Sequence, residues 1–323
     1  MRAPWISYRA EIKVFDCTIR DGGLVNDSKF DDEFVRAVYQ TCVDSGIDYM
    51  EIGYRNSKRA FPPGKYGLWR HSDEEDIRRI VGDNPTSLKI SVMADAGGKS
   101  DWLTDFLPKK DSVVDMVRVA CYIHQMPEAV DMIRHAHELG YETTCNIMAI
   151  SAAQDAEIDE ALEELATSAA SAVYVVDSFG ALYSEQVCML VQMYQKALEG
   201  TGKEVGVHMH NNQQLAFANT IEGTIRGANR IDASMAGLGR GAGNCTMELL
   251  LGFLRNPKFK IRPVWKFIQD HIVKIQETIE WGPYPPYVIT GQLNQHPRDA
   301  MAWRAGDRKE MCAEFYDKMI SDV

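Results

Sequence analysis

No apolar run in this chain is long enough to span a bilayer, no basic stripe breaks its acidic balance, and no cysteines pair at zinc-knuckle spacing. Each absence excludes something. The first removes a helical membrane anchor from consideration. The second, with a formal net charge of -11, argues against non-specific nucleic-acid binding, which needs a basic surface to displace counterions. The seven cysteines (Cys17, Cys42, Cys121, Cys145, Cys188, Cys245 and Cys312) are odd in number and scattered, so reduced, mostly buried thiols are expected. Met1 to Ala10 carries Trp5 and two arginines but no apolar core of signal-peptide length, so the expected location is cytoplasmic and the expected partners are small molecules.

What is present is an ordinary soluble composition, 45% hydrophobic and 25% charged over 323 residues, enough for one large domain. Apolar runs of strand length alternate with stretches of helical periodicity. The strands are expected at Ile12–Phe15, Tyr49–Gly53, Leu88–Met93, Val113–Val119, Glu142–Ala149, Val173–Asp177, Val205–Met209 and Arg230–Ser234, each followed by a helix. Eight strand–helix units suit an α/β protein of the (βα)8 TIM-barrel class, residues 1–261; a doubly wound open sheet is the alternative. Residues 262–323 differ. A helix is expected from about Pro263 to Trp281, followed by the proline-rich Gly282–Tyr287 and a charged end, together a short helical C-terminal extension that covers or flanks the barrel mouth.

Phe15-Asp16-Cys17-Thr18-Ile19-Arg20-Asp21-Gly22 places an arginine and an aspartate where the first strand gives way to glycines, so both are expected at that strand's carboxyl end. Downstream, Val207-His208-Met209-His210 puts two imidazoles on one face of a strand, because strand side chains alternate. Two histidines and an aspartate suit one divalent cation, and the metal reading is favoured over histidines that merely satisfy a core. Asp16, Glu51, Asn146, Asp177 and Ser178 also lie at or just past strand ends, where a barrel carries its chemistry. The blander alternatives are that Glu51 only pairs with Arg20 and that Asp177 caps a helix. The run Gly237-Leu238-Gly239-Arg240-Gly241-Ala242-Gly243-Asn244 is a poor dinucleotide fingerprint, since it follows the last strand and lacks the acidic ribose partner. In a barrel it lets backbone at Gly239 and Gly241 approach a substrate, and Asn244 can offer an amide oxygen to the metal. Arg55, Lys58, Arg59, Lys65 and Arg70, between the second strand and His71, hint at an anionic substrate; a solvated loop explains them as well.

Taken together, Asp16–Gly22, Glu51, His208-Met209-His210 and Gly237–Asn244 resemble the DRE-TIM metallolyase family. The likeness runs from about Ile12 to Leu254, and it is greatest to the 4-hydroxy-2-oxovalerate aldolase branch, through Met209-His210-Asn211-Asn212, Ala218–Ile221 and Arg230–Gly239. The resemblance implies a divalent metal, manganese or magnesium, on Asp21, His208 and His210 with Asn244 near it. It implies a 2-oxo acid and an aldehyde as small-molecule substrates, with a pyruvate enolate stabilised by the metal and by Arg20, and with Glu51 holding Arg20. One position departs: Leu24 stands where that branch carries a histidine that takes the proton of the 4-hydroxyl. Tyr284, Tyr287 and His296 of the extension, and Tyr66 and His71, are the candidates to replace it. An acyl-CoA-dependent Claisen synthase and a non-catalytic metal- or metabolite-binding barrel are the alternatives. A homo-oligomer is compatible with this family, and a dehydrogenase partner is not assumed, since only about sixty residues follow the barrel.

Overall fold

The computed structural model describes residues 9–321; residues 1–8, and with them Trp5, lie outside the described residues. The first strand, β1 (Lys13–Asp16), runs into a one-turn helix, α1 (Thr18–Gly22). Arg20 and Asp21 therefore sit on a helical turn rather than on the strand itself. That turn is nucleated by Asp16, whose carboxylate accepts from the Thr18 amide at 3.1 Å and from the Thr18 hydroxyl at 2.7 Å.

The chain then alternates as the periodicity requires. α2 (Asp32–Ser45) is capped by Asp31, which accepts from the Phe34 amide at 2.8 Å, a contact of the kind that contributes about 1 kcal/mol. It ends at Gly46, where φ of +70° needs a residue without a side chain. There follow β2 (Tyr49–Tyr54), α3 (Glu74–Val81), β3 (Lys89–Asp95), α4 (Trp102–Asp105), β4 (Met116–Cys121), α5 (Met126–Glu138), β5 (Glu142–Ile147), α6 (Asp155–Thr167), β6 (Ala172–Asp177), α7 (Ser184–Ala197), β7 (Glu204–Met209), α8 (Ala216–Ile225), β8 (Arg230–Ala233) and α9 (Met247–Leu254). Every strand pairs with its sequence neighbour in parallel, and β8 pairs with β1, Lys13 opposite Arg230. That last pairing closes the barrel and rules out the open sheet.

Both faces of these strands are buried, and alternate residues along each strand point into the lumen. The lumen is layered accordingly. At the strand starts Arg230 meets Glu142 at 2.7 Å and Glu204 at 2.5 Å. Above them lies an aromatic floor, in which Phe15 stacks on Tyr49 at 4.1 Å and meets the edge of Tyr174 at 6.0 Å. Arg118 spans the next level, 4.4 Å from the Tyr174 ring centre. β2 carries a register shift against β3 between Glu51 and Gly53. This shift changes the parity of the strand, and Glu51 and Tyr54 both face inward although they are three residues apart.

The helix expected over Pro263–Trp281 is shorter and interrupted. α10 (Ile261–Phe267) passes through a wide, π-type turn at Ile268–Ile272 into α11 (Val273–Ile275) and stops there. It packs on α2, where Phe267 lies 5.4 Å from Phe34. α12 (Pro285–Gln292), α13 (Arg298–Arg304) and α14 (Cys312–Ser321) complete the chain. Tyr287, Ala300, Phe315 and Met319 form a small cluster with Ala242 of the loop after β8. The extension also touches the loop after β5, where Asn294 bonds Ser151, and the segment after β8, where Trp281 donates to the Ala236 carbonyl at 3.1 Å. Among the described residues no helix is long and apolar enough to cross a membrane.

Candidate metal centre

At the carboxyl ends of the strands a cavity is lined by Arg20, Asp21, Leu24, Tyr54, Met93, Ala120, Asn146, Met148, Val176, Ser178, His208, His210 and Arg240. One wall is ionic. The other, Leu24, Tyr54, Met93, Ala120 and Met148, is a contiguous, largely apolar cluster.

Three side chains in the ionic wall converge. One ligand atom from each of Asp21, His208 and His210 lies within 4.8 Å of the others, and all three residues are buried. Asn244 joins them because the loop after β8 folds back on the end of β7: the Asn211 amide donates to the Gly243 carbonyl at 2.8 Å, and His210 bridges to Asn244. The fold-back depends on Gly239, where a Cβ would stand 2.3 Å from the Asn244 amide nitrogen and 2.6 Å from an Asp21 oxygen. Only a glycine leaves that space. The Asn244 amide nitrogen donates to Asp21.

The charges behind these ligands form a continuous buried chain. Asp21 accepts from Arg20 at 2.8 Å, and Arg20 donates to Glu51 at 2.6 Å. Glu51 also meets Arg118 at 3.2 Å, Arg118 donates to Asp232 at 2.7 Å, and Asp232 lies 2.9 Å from Nδ1 of His208. Within this chain three carboxylates meet two guanidinium groups, an excess of one negative charge that favours a cation, with Arg240 a third guanidinium on the same cavity. Burial alone raises the Asp21 carboxyl, and the positive charges around it, among them the always-protonated Arg20 and Arg240, hold it below the usual carboxylate range. Burial pushes the His210 imidazole well down, which keeps it neutral and its lone pair free.

The residues present fit a divalent ion. With Nδ1 of His208 donating to Asp232, its Nε2 is left as the lone-pair atom, and Nε2 is buried without a hydrogen-bond partner, as is Oδ1 of Asn244. One carboxylate, two imidazoles and an amide oxygen are a donor set suited to manganese or magnesium as well as to zinc. Cys17, His208 and Asp232 also cluster, but Asp232 is already bound to Arg118 and burial pushes the Cys17 thiol far up.

Of the other residues singled out in the sequence, Asn146 and Ser178 line the cavity, the Ser178 hydroxyl accepting from the Ala149 amide at 2.8 Å. Asp177 does not line it: its carboxylate accepts from the amides of Ala181 and Leu182 and shapes the loop, and burial raises it to about 6. Gly241, at φ of +62°, faces Pro297 and Tyr287 instead of the cavity. Tyr287 is buried among Ala242, Ala300 and Phe315, and Tyr284 lies half-exposed under the Arg304 guanidinium. His71 bonds the Asn56 carbonyl, and Tyr66 meets Phe61 edge to face. None of these four rings lines the cavity. His296 reaches its rim through Arg240, whose Nη1 donates to His296 Nε2 at 3.1 Å. In the Arg55–His71 segment, Lys58 pairs with Asp73 and Arg59 with Asp101, so two of its charges are satisfied within the protein.

Four residues were missed in the sequence: Arg118, Asp232, Tyr54 and Arg240. The signal for the first two was available, since each interrupts an apolar strand of a parallel barrel and so must face the lumen.

Comparison with known proteins points the same way. The HMGL-like family model matches residues 117–278. A 4-hydroxy-2-oxovalerate aldolase of Bacillus cereus is 30% identical over 87% of this chain and 80% of its own length, and one of Geobacillus thermodenitrificans is 31% identical over 77% and 71%. Among solved structures, the N-terminal domain of a candidate aldolase from Bacteroides vulgatus superposes with a TM-score of 0.77 at 27% identity, covering 94% of this chain and all of that one. A hydroxymethylglutaryl-CoA lyase of Pseudomonas aeruginosa shares the fold, with a TM-score of 0.67 at 17% identity over 83% of this chain and 94% of its own. With its closed barrel, its Arg-Asp turn and its paired histidines, the chain belongs to the HMGL-like family, the DRE-TIM carbon–carbon lyases.

Proposed function

We propose that this protein makes or breaks a carbon–carbon bond of a 4-hydroxy-2-oxo acid through a pyruvate-type enolate, with a divalent metal held by Asp21, His208 and His210 and with Asn244 beside it. The observation that carries this reading is the convergence of those three ligands beside an arginine that is itself fixed by two carboxylates. A bound divalent ion would supply Lewis acidity toward the carboxylate and ketone oxygens of a 2-oxo acid. Arg20 supplies a second positive group that stays protonated at any working pH and is oriented before substrate arrives, so it can stabilise negative charge developing on the C2 oxygen. The names of the aldolase relatives support the same substrate class.

The apolar wall receives the remainder of the substrate. Leu24 belongs to that wall and carries no proton. Tyr54 is the ionisable group there: its ring stands 5.9 Å from the Arg20 guanidinium, and burial pushes its phenol up to about 12. We assign to Tyr54 the donation of its proton to the C4 alkoxide in the condensation direction, which leaves a phenolate near the Arg20 guanidinium; in the cleavage direction that phenolate takes the proton of the 4-hydroxyl.

Proton NMR of pyruvate in D2O tests the reading. Methyl-proton exchange that requires added manganese or magnesium is expected. An absence of exchange with metal demonstrably bound would overturn the pyruvate reading and favour an acyl-CoA-dependent synthase or a non-catalytic barrel.

A further inference from the structure

Of the six buried arginines among the described residues, four are paired with carboxylates, while Arg55 donates to the Asp105 carbonyl and Arg70 lies over the rings of Tyr54, Phe61 and Tyr66. Arg20, Arg118, Arg230 and Arg304 each lie 2.5 to 3.2 Å from carboxylate oxygens. Arg240 lines the same cavity as the metal ligands, yet among the described residues it forms no ion pair. Its contacts are neutral: Nη2 donates to the Ser178 carbonyl at 2.9 Å and Nη1 to Nε2 of His296 at 3.1 Å. A guanidinium has five N–H groups, so these two leave three, and the Nε–H is buried without a partner.

The side chain is thus fixed from two directions, by the loop after β6 and by the C-terminal extension, while its charge remains unanswered. Its backbone is held as firmly, between Gly239, which has no room for a side chain, and Gly241 at φ of +62°. A partly buried cation without a carboxylate costs free energy unless other groups answer it, as three aromatic rings do for Arg70, and Arg240 differs from Arg55 and Arg70 in lining the cavity of the metal ligands. A preorganised arginine fork beside a metal site matches the planar geometry of a carboxylate.

We propose that Arg240 binds a carboxylate of the substrate, through its free Nε–H and a free Nη–H. The assignment rests on the reading of this cavity as a 2-oxo acid site, and it makes Arg240 a determinant of substrate recognition. The carboxylate belongs either to the 2-oxo acid itself or to an acidic carbonyl partner.

Calorimetric titration of the full-length, manganese-loaded protein with two unreactive chelators separates these sources. Oxalate presents only the metal-chelating end, whereas malate adds a distal carboxylate. Arg240→Gln should weaken binding by about tenfold to a hundredfold, as expected for a charge-assisted fork. Arg240→Lys should recover part of that loss, because an ammonium is a single-point donor. Manganese affinity, read by electron paramagnetic resonance, should not change, which shows that the variants are folded. An equal loss for oxalate and malate places the 2-oxo acid's own carboxylate on Arg240, and a loss confined to malate places the partner's there. Unchanged affinity for both overturns the proposal. Failure of the wild-type protein to bind oxalate removes the 2-oxo acid reading, and the Arg240 assignment with it, before any variant is made.

Discussion

The barrel lumen holds two ionic networks separated by an aromatic floor, and they are built for different ends. The lower one, at the strand starts, joins Lys13, Lys89, Arg230, Glu142 and Glu204, with the Tyr49 hydroxyl donating to Glu142. Three cations meet two carboxylates, and the lysines and glutamates are partly open to water. The upper one, Asp21, Arg20, Glu51, Arg118, Asp232 and His208, is closed to solvent and carries excess negative charge. Its terminal atoms are not satisfied within the protein, as the buried and unpartnered Nε2 of His208 shows. Among its described atoms the lower network leaves one buried and unpartnered, Nη1 of Arg230, whereas the upper one leaves Oε1 of Glu51, Nε of Arg118, Oδ1 of Asp232 and Nε2 of His208. The upper one ends at atoms that could hold an ion, so the lower network reads as structure and the upper as a support for the proposed metal site.

The comparison is most sharply tested at Arg118, which links the halves of the upper chain. Arg118→Met strands Glu51 and Asp232 as buried, unpaired carboxylates and should cost about 3–5 kcal/mol in urea unfolding. Glu204→Gln in the lower network should cost about 1 kcal/mol, since that carboxylate is partly solvated, and should leave metal binding and turnover unchanged. Equal costs at the two positions would erase the distinction.

Next in size is Tyr54→Phe. It should slow cleavage of the 4-hydroxy-2-oxo acid about a hundredfold while leaving metal content unchanged, a split read from steady-state kinetics beside metal analysis. Cleavage at the wild-type rate would remove Tyr54 from the reaction. Asp232→Asn should follow, weakening manganese binding roughly tenfold to a hundredfold, because the amide no longer selects the His208 tautomer that leaves Nε2 free. Unaltered manganese affinity by electron paramagnetic resonance would show that Asp232 belongs with the structural network instead.

These tests also mark what the sequence made legible. Asp21, His208 and His210 could be found because their relations are local: one lies on a short turn at a strand end, and two share a strand face. The eight-unit alternation likewise carried the barrel. Arg118 and Asp232 were not found, although both stand in plain strands, because an isolated charge in an apolar run suggests a solvent-facing side until both faces are known to be covered. Tyr54 was hidden by the register shift after Glu51, which no alternation rule anticipates. Arg240 was read only as part of a glycine run that brings backbone near a substrate, and its anchoring emerges only from Ser178 and His296, 62 and 56 residues away in sequence. The extension's tyrosines were attractive because of their chemistry, but Tyr287 is consumed by packing against Phe315 and its neighbours.

The smallest expected effect concerns the rim, where the extension meets the upper network. Burial first, and then the nearby charges of Arg240, Arg298 and Lys99, push His296 down to about 3 from its ordinary 6.5. The folded protein therefore keeps this ring neutral between those values, while the unfolded chain takes up a proton. The contribution of the neutral ring to stability is present above pH 6.5 and is lost progressively as the pH falls toward 3. Unfolding midpoints in urea at pH 7 and pH 4.5 should then differ less for His296→Gln than for the wild-type protein, since glutamine has no proton to gain. If the variant loses as much stability on acidification as the wild type, His296 does not carry a buried neutral ring against Arg240, and the rim is open to water in the way the lower network is.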